Sequence, residues 1–455
     1  MFLMELPAGD SALDDRPDLG QPGRQKCRTT WPASGKSWPP ATSARTVAAP
    51  SRAVKMAWTA LAPTFLTPAS IGMILGPKVH WKAGLVAAGK DVEFGCVVAA
   101  AGAPDSSDRE LYQGMLGDCE LYSELGFGTV WVLEHHFSDY FPTPDPAVQI
   151  AHLAGRFPEL GFGTCVIVTP WHNPLRLAGQ IAMLTQLTDR PLHLGLGRGT
   201  AKFEYDAYGL DMGEARARFQ ESWEIVRTAM TGRPFTYAGK YLSVPKEICI
   251  RPEPRTSNLR FYGAIGSPDS AGIMAGLGLP PICNTIGDLD SQAATLRGWA
   301  DAATAAGMDV TGATFPLMID CIVADTDEEA VQEACLYKPR FMQAQIDHYA
   351  PHATDWANTP GYQAWQRIFA GMEKRTRPEG IVPWCRWQLV GSPETVRQRL
   401  REYLDVGFNH VILHFSTPGI PAEVRRRWAS RFATDVAPYF ISLPAGRRAG
   451  DGAAQ

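Results

Sequence analysis

The chain has 455 residues and balances 43 Lys plus Arg against 47 Asp plus Glu, a net charge of −4 with no basic stripe, so nucleic-acid binding finds no support. Its nine cysteines, at 27, 96, 119, 165, 249, 283, 321, 335 and 385, form no C-x-x-C pair; they exclude a zinc ribbon or disulfide frame and read as reduced thiols of a cytoplasmic protein. Hydrophobic content of 45% is ample for a large core, and the length suits a single α/β barrel with insertions as well as two or three domains.

Residues 1 to about 55 are rich in Pro, Ala, Ser, Thr and Arg without helical or strand periodicity, a composition that buries too little surface to order itself. Met56 to Pro77 is free of charge between Lys55 and Lys78, which raises a signal or membrane segment. Pro63, Pro68 and the hydroxyls of Thr59, Thr64, Thr67 and Ser70 argue against one, and no membrane association is expected. Residues 1–90 are therefore expected to be a poorly ordered N-terminal extension, 91–440 the folded domain and 441–455 a flexible tail.

From residue 92 short apolar strands alternate with amphipathic helices, the pattern of βα units around a parallel sheet. The strand candidates are Val92–Val98, Thr129–Leu133, Gly163–Val168, Leu192–Leu196, Leu259–Ala264, Pro281–Cys283, Phe315–Val323 and His410–Phe415, eight in all, which predicts a TIM (β/α)8 barrel. Asp145-Pro146, Asn173-Pro174 and Ser392-Pro393 each place a capping residue before a proline suited to the first helical position. Phe219, Trp223, Val226 and Met230 form one apolar helical stripe, and Gly407 closes the helix begun at Pro393. Between the seventh and eighth strands an aromatic-rich insertion, about 338–388, reads equally as a basic lid over the barrel mouth or as a packed subdomain.

The run Thr129 to Phe137 ends a strand with Glu134-His135-His136, at the end of the barrel where chemistry is built. Neighbouring strand residues point to opposite faces, so one imidazole should face the pocket and the other pack behind it. For an isolated pair, a packed histidine pair is the better explanation. A zinc hydrolase using both is disfavoured, because they diverge and no third ligand stands at metal-site spacing; no metal is expected. Gly195-Leu196-Gly197-Arg198-Gly199-Thr200 has G-x-G-x-G spacing, not that of a dinucleotide fold, and Arg198 among glycines suits a phosphate. Gly266-Ser267 precedes a helix beginning at Pro268, where free amides favour an anion, although Ser267 serves equally as a cap. Two such loops on one rim suggest a single phosphorylated cofactor. Gly163 to Val168, by composition, is simply a buried strand.

Together Leu133-Glu134-His135-His136-Phe137, Gly163 to Val168, Gly197-Arg198-Gly199, Tyr208 to Met212 with Arg216, and Val390-Gly391-Ser392-Pro393-Glu394 resemble the bacterial luciferase-like flavin monooxygenase family, from about Val92 to Phe440. The resemblance implies an oxidoreductase that uses reduced FMN and molecular oxygen to oxygenate a small organic substrate, with a separate flavin reductase as partner and a homodimer as the common assembly. It implies catalytic roles for His135 and His136, with His135 facing the flavin and Glu134 and His136 supporting it. It assigns Glu134, Cys165, Val166, Arg198, Gly199, Gly266, Ser267 and Trp365 to the cofactor site, with a cis peptide between Cys165 and Val166. A histidine with an ordinary pKa near 6.5 would suit acid/base work there. Gly197 and Ser416 stand where luciferase has a cysteine and a carboxylate, which argues against long-chain aldehydes and light emission. The rival readings are a deazaflavin-dependent dehydrogenase and a non-catalytic flavin-binding protein.

Overall fold

The computed structural model describes residues 92–441 apart from 104 and 267; the expected extension over 1–90, the charge-free stretch 56–77, the tail from 442 and Ser267 lie outside the described residues. Eight parallel strands close into a barrel in the order β1 (Glu93–Val97), β2 (Thr129–Val132), β3 (Gly161–Val168), β4 (Leu192–Gly197), β7 (Leu259–Ala264), β8 (Pro281–Asn284), β9 (Pro316–Val323) and β11 (His410–His414), which pairs back onto β1. All eight coincide with the strands expected from sequence. β2, β4 and β11 are buried along their whole length, as strands covered by helices on one face and filled by side chains on the other must be.

The interior is packed by size complementarity. Trp131 points into the barrel, and Gly95 on β1 and Gly163 on β3 leave it room: a Cβ at Gly163 would lie 2.4 Å from the indole. The indole Nε1 donates to His410 Nε2 at 3.2 Å and His193 Nδ1 is 2.9 Å from the Tyr262 hydroxyl, while His410 Nδ1 lies 2.9 Å from a Glu93 carboxylate oxygen without hydrogen-bond geometry.

The outer helices begin where their caps dictate. Asp145 accepts from the Val148 amide at the start of α2 (Pro146–Arg156), Asn173 caps α3 (Pro174–Leu187), and Ser392 caps α11 (Pro393–Val406), which Gly407 ends at a φ of +120°. Phe219, Trp223 and Val226 of α5 (Ala215–Ala229) are buried, as their spacing requires. No helix among the described residues is long and apolar enough to cross a membrane.

Two features lie outside the sequence expectation. An antiparallel hairpin, β5 (Phe235–Ala238) and β6 (Ser243–Ile248), is mostly exposed and so carries little hydrophobic signal. The short β10 (Leu389–Gly391) adds to β9 beyond the barrel proper. The insertion is helical and starts earlier than 338: α8 (Asp327–Tyr349) is capped by Thr326 and passes through Pro339, followed by α9 (Trp365–Lys374) and α10 (Pro378–Trp384). Its aromatics Trp356, Tyr362 and Phe369 form a second core with Met212, Ala215 and with Tyr205 of α4 (Lys202–Ala207), which ties the insertion to the segment after β4.

Candidate active site

The C-terminal ends of the strands and the insertion enclose one cavity. Glu134, His135, Cys165, Val166, Arg198, Gly199, Gly266 and Trp365 all line it. His136 does not, and Ser267 is not among the described residues.

At the end of β2, Glu134 is buried and fully committed. Its carboxylate accepts from His136 Nε2 at 2.9 Å, His172 Nε2 at 2.8 Å and the Val168 amide at 2.8 Å. Burial works against its charge, yet these hydrogen bonds hold its pKa below the ordinary carboxylate range. With Nε2 of His136 donating to Glu134, its Nδ1 accepts from the Tyr208 hydroxyl at 2.9 Å. The His136 amide donates to Glu204 Oε1 at 2.7 Å. His136 is thus a strut behind the cavity wall.

His135 points the other way. Its ring packs edge-on against Tyr140 and His348, with centroids 4.8 and 4.7 Å away, and its Nδ1 is buried without a partner. Burial, reinforced by His348 and His136, pushes its pKa well below the ordinary imidazole value. This corrects the sequence expectation of an ordinary pKa near 6.5: His135 is a neutral imidazole at pH 7.

The neighbouring strand ends shape a cradle. The Cys165–Val166 peptide is cis, at an irregularity where the β3–β4 register shifts. Gly197 is required beside it, because a Cβ there would meet Val166 Cγ2 at 2.5 Å. Gly199 has a φ of +75° and would drive a Cβ into Val168 and Trp171. The Arg198 and Gly199 carbonyls accept from the hydroxyls of Tyr205 and Tyr362 respectively, so the second core clamps this loop. The Arg198 guanidinium lies 4.7 Å over the Tyr362 ring and gives one hydrogen bond, from Nη2 to the Gly361 carbonyl at 3.3 Å; Nη1 is buried without a partner. Trp365 approaches the loop after β7 so closely that a Cβ at Gly266 would meet its ring at 3.2 Å.

Across the barrel, β9, β11 and α8 contribute a buried ion pair. Lys338 Nζ donates to Asp320 Oδ1 at 2.5 Å, and His414 Nδ1 lies 3.4 Å from the same oxygen. Burial opposes the charge on Asp320, but Lys338 and His414 hold its pKa down to about 2. Asp320 and His414 line the cavity, and His414 Nε2 is buried without a partner. Ser416, two residues on, serves the scaffold: it donates to Asp118 Oδ2 at 2.9 Å, the carboxylate that also holds Arg425.

Sequence reasoning missed His172, Glu204, Tyr205, His348, Tyr362 and the Asp320–Lys338 pair. A charge inside the apolar run Met318 to Val323 was a legible signal for Asp320. For Lys338 and His348, inside a long helix, no local pattern existed.

The sequence profile of the family described as luciferase-like monooxygenase matches residues 92–410, more than half of the chain. The alkanal monooxygenase alpha chain of Aliivibrio fischeri is 26% identical over 353 residues, 74% of this chain and 96% of that protein. The oxygenase component of the flavin-dependent trigonelline monooxygenase of Acinetobacter baylyi is 25% identical, over 75% of this chain and 93% of that one. A match at 32% identity, to an uncharacterized protein of Sinorhizobium fredii, spans only 42% of that protein. Among solved structures, a monooxygenase from Streptomyces bottropensis superposes with a TM-score of 0.63 at 25% identity, covering 77% of this chain and all of that one. The same fold, at lower identity, is found in the oxygenating constituent of 3,6-diketocamphane monooxygenase from Pseudomonas putida in complex with FMN (TM-score 0.60, 19%, 78% of this chain and 100% of that one). It also occurs in an F420-dependent secondary alcohol dehydrogenase (0.59, 15%, 78% and 100%).

Proposed function

We propose that this chain, which belongs to the luciferase-like monooxygenase family, is the oxygenase component of a two-component system that takes reduced FMN from a separate flavin reductase and oxygenates a small organic substrate. The observation that carries this reading is a single cavity holding both an anion grip and a neutral imidazole. Arg198 offers a buried, unpartnered Nη1 beside the backbone of Gly199, and His135 offers a buried, unpartnered Nδ1. Both groups are available to hydrogen-bond a bound ligand.

These residues fit FMN. The forked guanidinium of Arg198, held over Tyr362, suits a phosphate, with Gly199 and the Gly266 loop on the same rim. Val166 and Cys165 present a largely apolar wall, and Gly197 keeps β4 close enough behind it for Val166 to stay in place. Bound and reduced, FMN would supply the electrons that activate molecular oxygen. His135 would give and take a proton at the reacting centre as a neutral imidazole, with Glu134 and His136 supporting the strand end that carries it. His414 Nε2, anchored through Asp320, would orient a polar group of the substrate from the opposite wall. Phe341, Met342 and Trp384 of the insertion would exclude water.

The test is anaerobic titration with reduced FMN or reduced deazaflavin, followed by mixing with oxygenated buffer. FMN binding with oxygen uptake, lost in Arg198→Ala and altered in kinetics in His135→Gln, is the expected result. Tight deazaflavin binding, with no oxygen uptake on FMN, would convert the reading to a dehydrogenase.

A further inference from the structure

We propose that His135, Glu204 and His348 form a site for one divalent transition-metal ion of the zinc class at the side wall of the cavity. The site shares His135 with the flavin reading and takes its other two ligands, Glu204 and His348, from the segment after β4 and from the insertion.

One ligand atom from each of the three lies within 4.8 Å of the other two, and His348 Nε2 is 3.7 Å from Glu204 Oε1. Ligands at about 2.0–2.1 Å around a tetrahedral zinc ion stand roughly 3.4 Å apart, so closing each separation by up to about 1.4 Å through rotamer adjustment completes the geometry. His348 and Glu204 are 3% and 1% exposed, and His348 Nε2 and His135 Nδ1 have no hydrogen-bond partner. A buried, unpartnered His348 Nε2 facing a carboxyl group, with a ring nitrogen of His135 beside them and no lysine or arginine hydrogen-bonded to the carboxyl among the described residues, is a cation's complement.

The supporting shell points the same way. His348 Nδ1 is 2.8 Å from Ser138 Oγ, so with Nδ1–H donating to the hydroxyl the Nε2 lone pair is turned to the site. Glu204 Oε1 receives the His136 amide, which orients the carboxyl group that an ion would deprotonate on binding. His135 and Glu204 line the cavity, giving an ion an entry path and an open fourth position. The barrel-floor group Glu93, His193 and His410 is a useful contrast. There Trp131 occupies the His410 Nε2 lone pair, which in a neutral imidazole puts the proton on the unpartnered Nδ1 and leaves His410 no lone pair for an ion. The sequence reading set a metal aside for want of a third ligand near His135 and His136; the fold replaces His136 with Glu204 and His348. An ion bound there takes up the His135 imidazole and so inhibits any chemistry that uses it.

The experiment titrates chelator-treated, tag-free, full-length protein with Co2+ and records the visible spectrum. One equivalent is expected to bind, with d–d bands of nitrogen and oxygen ligation, no thiolate charge-transfer band, and full displacement by Zn2+. Glu204→Gln and His348→Gln should each weaken Co2+ binding by about 100-fold or more, and Ser138→Ala, which touches only the outer shell, by about 10-fold. X-ray absorption at the zinc edge of the wild-type protein should count two imidazoles, a result that does not depend on any variant folding. Absence of saturable uptake, sulfur scattering from Cys165 or Cys249, or unchanged binding in both folded variants would overturn the site. Failure of flavin binding with Co2+ uptake intact would count against the oxygenase reading alone.

Discussion

Lys338→Met is the sharpest probe of how the insertion is fastened to the barrel. Lys338 is fully buried, its Nζ lies 2.5 Å from Asp320 Oδ1, and its ammonium also packs 5.4 Å from the Phe341 ring and 6.0 Å from the Trp384 ring. Methionine keeps most of the aliphatic volume and removes the charge, leaving Asp320 buried with His414 as its nearest cationic candidate. Removing one partner of a buried pair costs about 3–5 kcal/mol. The chain can limit the loss by protonating Asp320, and at pH 7 raising a carboxyl from its ordinary value to neutrality costs roughly 4 kcal/mol, so a loss of about 3–4 kcal/mol is expected.

The pH dependence has a definite sign. In the wild type Asp320 is depressed from 3.8 to about 2, so its contribution is present above pH 3.8 and is lost as pH falls toward 2. At about 1.4 kcal/mol per unit, that interval is worth roughly 2 kcal/mol. Urea unfolding followed by tryptophan fluorescence at pH 7, 5 and 3 would measure both quantities. Asp320→Asn should remove one proton's worth of the acid-limb slope. The double variant Lys338→Met/Asp320→Asn should recover at least half of the single-variant loss, because it buries no charge. A loss under about 1 kcal/mol in Lys338→Met, or a double variant no better than the single, would refute the account.

Arg198→Lys should weaken FMN binding by at least about tenfold and leave riboflavin binding nearly unchanged, as read by flavin fluorescence quenching, because only the phosphate uses the fork. Gly163→Ala should destabilise by about 1–3 kcal/mol, since its Cβ would fall 2.4 Å from the Trp131 ring, and Trp131→Phe should partly relieve it; urea midpoints would show both. Glu134→Gln removes the charge that raises the His172 pKa against the lowering effect of burial. NMR titration should find the His172 pKa lower in that variant, and an unchanged value would break the Glu134–His172 assignment.

Some of this protein was written locally. Strands buried on both faces are largely apolar, and Asp145, Asn173 and Ser392 before prolines mark helix starts through hydrogen bonds spanning two or three residues. The barrel therefore followed from the sequence, and so did the Gly197-Arg198-Gly199 loop, whose glycines answer to contacts and a positive φ at the loop itself. That Glu134 and His135 arrive together at a strand end was also legible.

What each does there was not. His135 and His136 differ in role because Glu134 and Tyr208 capture one, while Tyr140 and His348 surround the other. Glu134 and Tyr140 are close in sequence, but Tyr208 lies 72 residues from His136, and His348 lies 210 from Ser138, which holds it. Periodicity and capping act over a turn or two and carry no information at such separations. Burial is likewise a property of the packed molecule: it lowers the His135 pKa, raises that of Glu204 to about 8, and makes Lys338 and Asp320 a pair. The sequence by itself determined the barrel and the rim on which chemistry sits; tertiary packing decided which imidazole faces the cavity and which distant groups complete its surroundings.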